Sequence, residues 1–311
     1  MERSRFDYLE IGEAAAAPRP ALAARPALQR ALKAAEVIGG PGERLGEFNC
    51  PWGVAVDGHG CLYVTDSLNH RVQKITPQGD VYGFGARGRD IGDLLNPQGI
   101  VVDNRLFIYV VEMGNSRVTK FSPTGELIMS FGSRGNMVGQ FDRPAGLARD
   151  NYNNLYVADY GNGRVQKFDA RGRFLATFGA APMSNLRAPC GAGVDKAGNL
   201  YVTDERQQCI VVFHPSGGQI GVIAGPGTEV GPLEGPQGLA LTPDGITVAS
   251  EHDGHRVQAF TARGERVCAY GRSGTAASRL NGPSGVALDR HTRDIYVADT
   301  MNHRIVKLRY E

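Results

Sequence analysis

The chain has 311 residues, of which 41% are hydrophobic and 21% charged, and its formal net charge is +2 at pH 7. This composition is ordinary for a soluble globular protein and excludes collagen-like chains and coiled coils. No apolar run approaches the ~20 residues of a membrane-spanning helix, so we expect no membrane insertion. Acidic residues such as Glu2 and Asp7 interrupt the N-terminus where a signal peptide would be apolar, which predicts a cytoplasmic protein.

The first 33 residues differ in character from the rest. They are rich in Ala and Pro and hold the whole net charge of the chain, so residues 34–311 are neutral. We predict a tail over 1–33, either disordered or docking on a partner or on the body of the protein. Its apolar anchors would be Phe6, Tyr8, Leu9 and Ile11. A short helix over 22–35 is an alternative for its end.

A Pro-x-Gly motif followed by alternating apolar residues occurs six times, at intervals of 45 to 47 residues. The prolines are Pro51, Pro97, Pro144, Pro189, Pro236 and Pro283. Each unit contains four runs rich in Val, Ile, Tyr and Phe, separated by turn residues, and such runs are typical of strands. Four strands in a unit of this length predict one blade of a β-propeller.

The sixth unit ends after its third strand, near Arg309. The missing outer strand has a candidate at 36–39, just before the first motif. We therefore predict an all-β, six-bladed propeller of four-stranded antiparallel blades over residues 34–311. The N-terminal strand at about 36–39 would complete the last blade and close the ring, which protects both sheet edges.

The turn motifs of these units resemble the NHL-repeat family. Its Asn-His signature stands here as Asn69-His70-Arg71 and Asn302-His303-Arg304, with variants at 115–117, 162–164 and 254–256. The resemblance spans almost all of 34–311 and implies a six-bladed propeller. The family includes RNA-binding domains, protein-interaction modules, sensor domains and a few lyases, so the fold alone does not give the function.

An acid stands five residues before the arginine of five turns, which predicts an ion pair within each of those blades. The pairs are Asp66 with Arg71, Glu112 with Arg117, Asp159 with Arg164, Glu251 with Arg256, and Asp299 with Arg304. In the fourth blade Cys209 stands where the arginine should be. Asp204 of that blade would use Arg206 instead or would point to a ligand.

The middle residues of the six motifs form a ring at the mouth of the predicted channel. They are Trp52, Gln98, Ala145, Cys190, Gln237 and Ser284. By resemblance, amidating lyases with this repeat hold zinc through channel histidines, and related lactonases hold calcium through carboxylates. This ring offers neither, and zinc needs three or four ligands in a tight cluster. We therefore predict no metal and no cofactor.

Three histidines share one repeat position on different blades, and we interpret them as turn residues rather than metal ligands. They are His70, His255 and His303. The five cysteines are widely spaced without a Cys-x-x-Cys pair, which favours reduced thiols over disulfides.

The connections between blades are long, and loops on a rigid scaffold commonly carry function. Several arginines there could form a basic arc over blades 3, 4 and 6. The residues we expect to contact a partner are Trp52, Gln98, Gln237, Arg134, Arg187, Arg206, Arg272 and Arg279.

The leading hypothesis is a non-enzymatic scaffold that docks a macromolecule, above all a protein, on its loop-rich face, as one subunit of a larger complex. One alternative is an NHL domain that binds single-stranded RNA through the arginines. The other is a lyase or hydrolase with a metal in the channel. The sequence leaves the oligomeric state open.

Overall fold

The computed structural model describes residues 31–180 and 186–310. They form six four-stranded antiparallel sheets, which are the six blades of a propeller. Each inner strand contacts the inner strands of both neighbouring blades, and blade 6 contacts blade 1, so the ring is closed. The predicted fold class is confirmed.

The strands follow the repeat. The inner strands are Pro51–Val56, Pro97–Val102, Pro144–Arg149, Pro189–Val194, Pro236–Leu241 and Pro283–Leu288. The second strands are Leu62–Asp66, Ile108–Glu112, Leu155–Asp159, Leu200–Asp204, Thr247–Glu251 and Ile295–Asp299. The third strands are Arg71–Ile75, Arg117–Phe121, Arg164–Phe168, Cys209–Phe213, Arg256–Phe260 and Arg304–Tyr310. The outer strands are Val81–Phe84, Leu127–Phe131, Phe174–Phe178, Gln219–Val222, Arg266–Tyr270 and, for blade 6, Leu32–Ile38.

Short elements complete the described chain. The turns of blades 1, 3 and 6 each hold one 3-10 turn, namely Ser67–Asn69, Tyr160–Asn162 and Thr300–Asn302. Two two-residue strands, Ser133–Arg134 and Gln140–Phe141, pair within one connection. No helix in the described ranges is long and apolar enough to cross a membrane.

The strand Leu32–Ile38, called the closing strand below, pairs antiparallel with Arg304–Tyr310. It begins before the predicted residue 36, so the expected tail boundary after residue 33 falls inside it. A bulge between Ala34 and Glu36 lets this longer strand follow the sheet. The alternative of a helix over 22–35 is wrong for residues 32–35. The rest of it and the four tail anchors lie outside the described residues.

The two faces of the ring differ. The Pro-x-Gly starts, the turns between second and third strands, and the connections between blades lie on one face, called the loop face here. The remaining turns lie on the opposite face. The glycine of each motif lets inner strands approach closely: a side chain on Gly53 would overlap the carbonyl group of Gln98 in the next blade.

The hydrophobic core fills the seams between neighbouring blades. At three seams an aromatic ring at the end of an outer strand packs on an aromatic ring of the next blade's third strand. The pairs are Phe84 with Phe121, Phe131 with Phe168, and Phe178 with Phe213. Their ring centroids are 5.1, 5.1 and 6.2 Å apart, within the range of favourable aromatic contacts.

Candidate functional site

The repeated acids and arginines form the polar frame of the loop face. Each acid is fully buried and contacts its arginine at 2.7 to 2.9 Å. The pairs are Asp66–Arg71, Glu112–Arg117, Asp159–Arg164, Glu251–Arg256 and Asp299–Arg304. In each of these blades the acid and the arginine neutralise each other. Their charges therefore stabilise the loop face and are not available to bind a ligand.

The same ion pairs hold the connections onto the blades. In blade 1 the guanidinium of Arg71 donates to the carbonyl oxygens of Glu43, Arg44 and Glu47. Asp66 accepts from the backbone N–H of Asn49 at 2.7 Å. Arg117, Arg164 and Arg304 bind their own connections in the same way. The connections are therefore fixed platforms.

In blade 4 the buried acid is hydrogen-bonded without an arginine. Asp204 accepts from the backbone N–H groups of Arg187 and Ala188, at 2.6 and 3.2 Å, and from Nε2 of Gln207 at 3.0 Å. Cys209 is buried, and burial followed by the nearby Asp204 raises the pKa of its thiol to about 12. The carboxylate of Asp204 thus serves the connection, and Arg206 is exposed to solvent.

The three repeated histidines join neighbouring blades. Nδ1 of His70 accepts from the N–H of Asn96, at 3.1 Å. Nδ1 of His255 accepts from Gly282, and Nδ1 of His303 accepts from Cys50, both at 3.0 Å. Each histidine has a positive φ of 49 to 54° at the end of its turn. They are turn residues, as expected, and each is also a latch onto the next blade.

The channel is nearly filled. Its cavity measures about 40 Å³ and is lined by Trp52, glycine and aliphatic residues of the inner strands. Trp52, Gln98 and Gln237 are half-buried at the mouth, while Ala145, Cys190 and Ser284 are buried. A cavity of this size has room for a few water molecules at most. A substrate would have to lie over the mouth.

A polar cluster at the mouth escaped the sequence analysis. Glu205 accepts from Nε2 of Gln237 at 3.4 Å and from the thiol of Cys190 at 3.5 Å. Burial, with Glu205 next, raises the pKa of Tyr160, and Glu205 is also its hydrogen-bond partner. Tyr160 and Glu205 each follow the buried acid of their blade, and that shared repeat position is the signal that could have revealed them.

The described residues offer no cluster of three or more His, Cys, Asp or Glu side chains suited to a metal ion. Burial, with the charge of Glu205 next, raises the pKa of the Cys190 thiol well above its usual value, so it is a weak nucleophile. The mouth cluster can donate and accept hydrogen bonds.

The predicted basic residues are exposed on the loop face. They are Arg134, Arg187, Arg206, Arg272 and Arg279. None of them forms an ion pair with another described residue. Blade 5, with the acids Glu229 and Glu234, lies between the arginines of blade 4 and those before blade 6. The arc is therefore divided.

Large apolar side chains also lie exposed on this face, and the sequence analysis did not single them out. Leu45, Ile91 and Val138 occupy the same position in the connections before blades 1, 2 and 3, with exposures of 54%, 74% and 59%. Met137 beside Val138 is 68% exposed. The loop face thus has an apolar sector over blades 1–3, and the divided basic residues extend from blade 3 to blade 6.

A family comparison matches three stretches of the chain, 48–75, 141–168 and 280–308, to the NHL repeat. These stretches lie in blades 1, 3 and 6. The chain is a six-bladed propeller that carries NHL repeats in three of its blades. The comparison with curated proteins found no match to this chain.

Solved structures with similar folds have varied functions. A virginiamycin B lyase from Staphylococcus aureus is 15% identical, with a TM-score of 0.61 over 86% of this chain and 82% of the lyase. A gluconolactonase from Xanthomonas campestris is 16% identical, with a TM-score of 0.64 over 93% and 99% of the two chains. An auxiliary nutrient binding protein from Bacteroides thetaiotaomicron is 15% identical, with a TM-score of 0.66 over 88% and 72%. At these identities the likeness shows a common fold and carries no conclusion about function.

Proposed function

We propose that this NHL propeller docks a partner protein on its loop face, around the mouth that Trp52, Gln98 and Gln237 surround. The single observation that carries the proposal is the nearly filled channel beneath a half-buried Trp52. Because a ligand cannot enter, recognition takes place on the surface of the ring. Tryptophan is among the residues that contribute most to protein interfaces.

The apolar sector supports a protein partner. Exposed Leu45, Ile91 and Val138 stand on connections that the ion-paired arginines hold in place, so contact would cost little loop ordering. Apolar anchors surrounded by polar groups are the usual composition of a protein interface. Nucleic acid would gain little from this sector.

The test is a tagged pull-down from the native cell that compares the wild type with Trp52→Ala and with Ile91→Ser. We expect a stoichiometric protein partner, resistant to nuclease, that both variants lose. Tyr152→Ser is the matched control, because Tyr152 is 86% exposed on the opposite face. Retention of the partner by both loop-face variants would contradict the proposal, and Ile91→Ser keeps the test valid should Trp52→Ala fold poorly.

Single-stranded RNA is the second candidate, favoured by five exposed arginines that lack ion-pair partners among the described residues. It requires an affinity for RNA that falls steeply with salt. Replacing Arg134 and Arg272 by Glu should then abolish binding of a labelled oligonucleotide, whereas Trp52→Ala should matter less. Tight RNA binding of this kind, with partners that disappear after nuclease treatment, would decide for RNA over protein.

The third hypothesis, a channel-site lyase or hydrolase, draws on the fold that this chain shares with a lyase and a gluconolactonase. The channel cavity of about 40 Å³ leaves no room for a substrate. Any such chemistry would have to use the cluster of Tyr160, Glu205 and Gln237 at the mouth. We therefore rank it behind the two docking proposals.

A further inference from the structure

The seam between blades 6 and 1 is packed differently from the others. At this seam the closing strand contributes Ile38 and blade 1 contributes Ile75, and both pack on the same hydrophobic cluster. At the equivalent positions the other five seams place at least one aromatic ring. Three have the Phe–Phe pairs described above, and the remaining two have Ile223 with Phe260 and Tyr270 with Leu308.

Two isoleucines fill less space than an aromatic pair, and a groove of about 690 Å³ opens beside them. This space, called the seam groove here, is much larger than the channel cavity of about 40 Å³. Ile38, Leu62, Ile75 and Val81 provide apolar walls. Its size is typical of a binding site for an apolar group of several side chains.

The chain itself leads to this groove. The closing strand begins at Leu32, which pairs with Tyr310 at the opposite face of the ring. The turns at 58–60 and 289–292 border the groove at that same face. Residues 1–30 precede this point. Between Ile11 and Leu32 lie twenty residues, which span up to about 70 Å when extended, far more than the ~23 Å length of a seven-residue strand.

We propose that the N-terminal segment around 6–11 docks in the seam groove of its own chain. Its apolar residues suit the walls, and they are Phe6, Tyr8, Leu9 and Ile11. Arg5 precedes them and Asp7 and Glu10 lie among them, so the segment offers charges of both signs to Glu36 and Lys307, which line the groove. The docked segment supplies the aromatic side chains that this seam lacks.

Docking would have a defined role. The closing strand is the one outer strand that is far in sequence from the rest of its blade, so its detachment opens the ring. A segment seated on Ile38 and Ile75 covers the face of the closing strand that is turned toward blade 1. The N-terminal segment then acts as a clamp on the closure of the ring.

Hydrogen exchange of the full-length chain tests the proposal. We expect the amides of 6–11 to exchange at least about tenfold more slowly than in an unstructured peptide. Ile75→Phe, which places an aromatic ring of blade 1 at the position that the docked segment would cover, should lower this protection toward the unstructured rate. Leu9→Ser should do the same without any change in the blades, so the test does not depend on the folding of one variant.

The matched control is Ile128→Phe, because Ile128 is half exposed on the outer strand of blade 2, away from the groove. It should leave the protection of 6–11 intact. Exchange of 6–11 at the unstructured rate in the wild type would overturn the proposal, as would protection that survives Ile75→Phe in a folded protein. Protection that rises with protein concentration would overturn docking within one chain in favour of a second copy.

Discussion

At the residue scale, the loop face depends on carboxylates buried away from water. Asp299 accepts from the N–H of Asn281 and from the side chains of Asn302 and Arg304. Burial nevertheless raises its pKa, against the lowering effect of those partners. A carboxylate in this position depends on every donor, since an uncompensated buried charge is costly.

Arg304→Ala should therefore destabilise the protein by about 3 kcal/mol or more, because it leaves Asp299 buried without its cation. Chemical denaturation measures the loss. Arg173→Ala is the matched control: Arg173 pairs with Asp169 at 2.6 Å but is 74% exposed, and surface pairs of this kind contribute about 1 kcal/mol at most. Equal losses for both variants would show that the buried pair has no special role.

The hydrogen bond from the N–H of Asn96 to His70 predicts that the protein loses stability in acid. Burial, followed by the charge of Arg87, lowers the pKa of His70 in the folded state, and Asp66 opposes this only in part. The unfolded chain, with a histidine pKa of about 6.5, then binds more protons below that value than the folded chain. The contribution is fully present above about pH 7 and is lost as the pH falls through 6.5 toward the folded pKa.

Thermal melts between pH 8 and pH 5 are the measurement. His70→Asn should flatten part of the slope because Asn does not titrate, and Asn also tolerates the positive φ of this position. The control is His59→Asn, since His59 is exposed in a turn of the opposite face. A slope that His70→Asn leaves unchanged would assign the acid sensitivity to other groups.

At the element scale, the closing strand unites the two ends of the described chain. Leu32 is 5% exposed and packs with Val248, Val257 and Leu308. Leu32→Ala should cost about 2 to 5 kcal/mol, as for other buried leucines. In the same strand Val37 is 38% exposed, so Val37→Ala should cost much less in the same urea titration. Equal losses of unfolding free energy for Leu32→Ala and Val37→Ala would mean that the burial of Leu32 does not hold the closing strand in place.

Sequence periodicity was sufficient to predict the blades because each repeats the same motif and strand pattern. It placed the closing strand from 36 instead of 32, since the bulge at Ala34–Glu36 breaks the alternation on which strand prediction relies. Contacts across blades were harder to foresee. The link between Glu205 and Gln237 joins residues far apart in sequence, and their geometry depends on how the blades curve.

At the scale of the whole molecule, the ring separates a stable frame from the loop face on which we propose that a partner docks. The channel is filled by inner strands, the seams hold the apolar core, and the loop face carries apolar and basic sectors side by side. Such a surface can bind a large partner without any movement of the blades.

Chelation gives a test at this scale. Because the described residues contain no cluster of three metal-ligand side chains, we expect EDTA to leave the melting temperature unchanged. Metal analysis of the purified protein accompanies the melt. A stoichiometric metal together with a fall in melting temperature after chelation would revive the channel-enzyme hypothesis.

The pairing of Leu32–Ile38 with Arg304–Tyr310 has a consequence for synthesis on the ribosome. The closing strand is among the first described residues to leave the exit tunnel, and its partner is among the last. Blades 1 to 5 can form one after another during translation, as local units of a repeat protein do. Blade 6 has to wait, with its outer strand unpaired, until the last described strand has emerged, so this open interval is when the nascent chain most needs protection from aggregation.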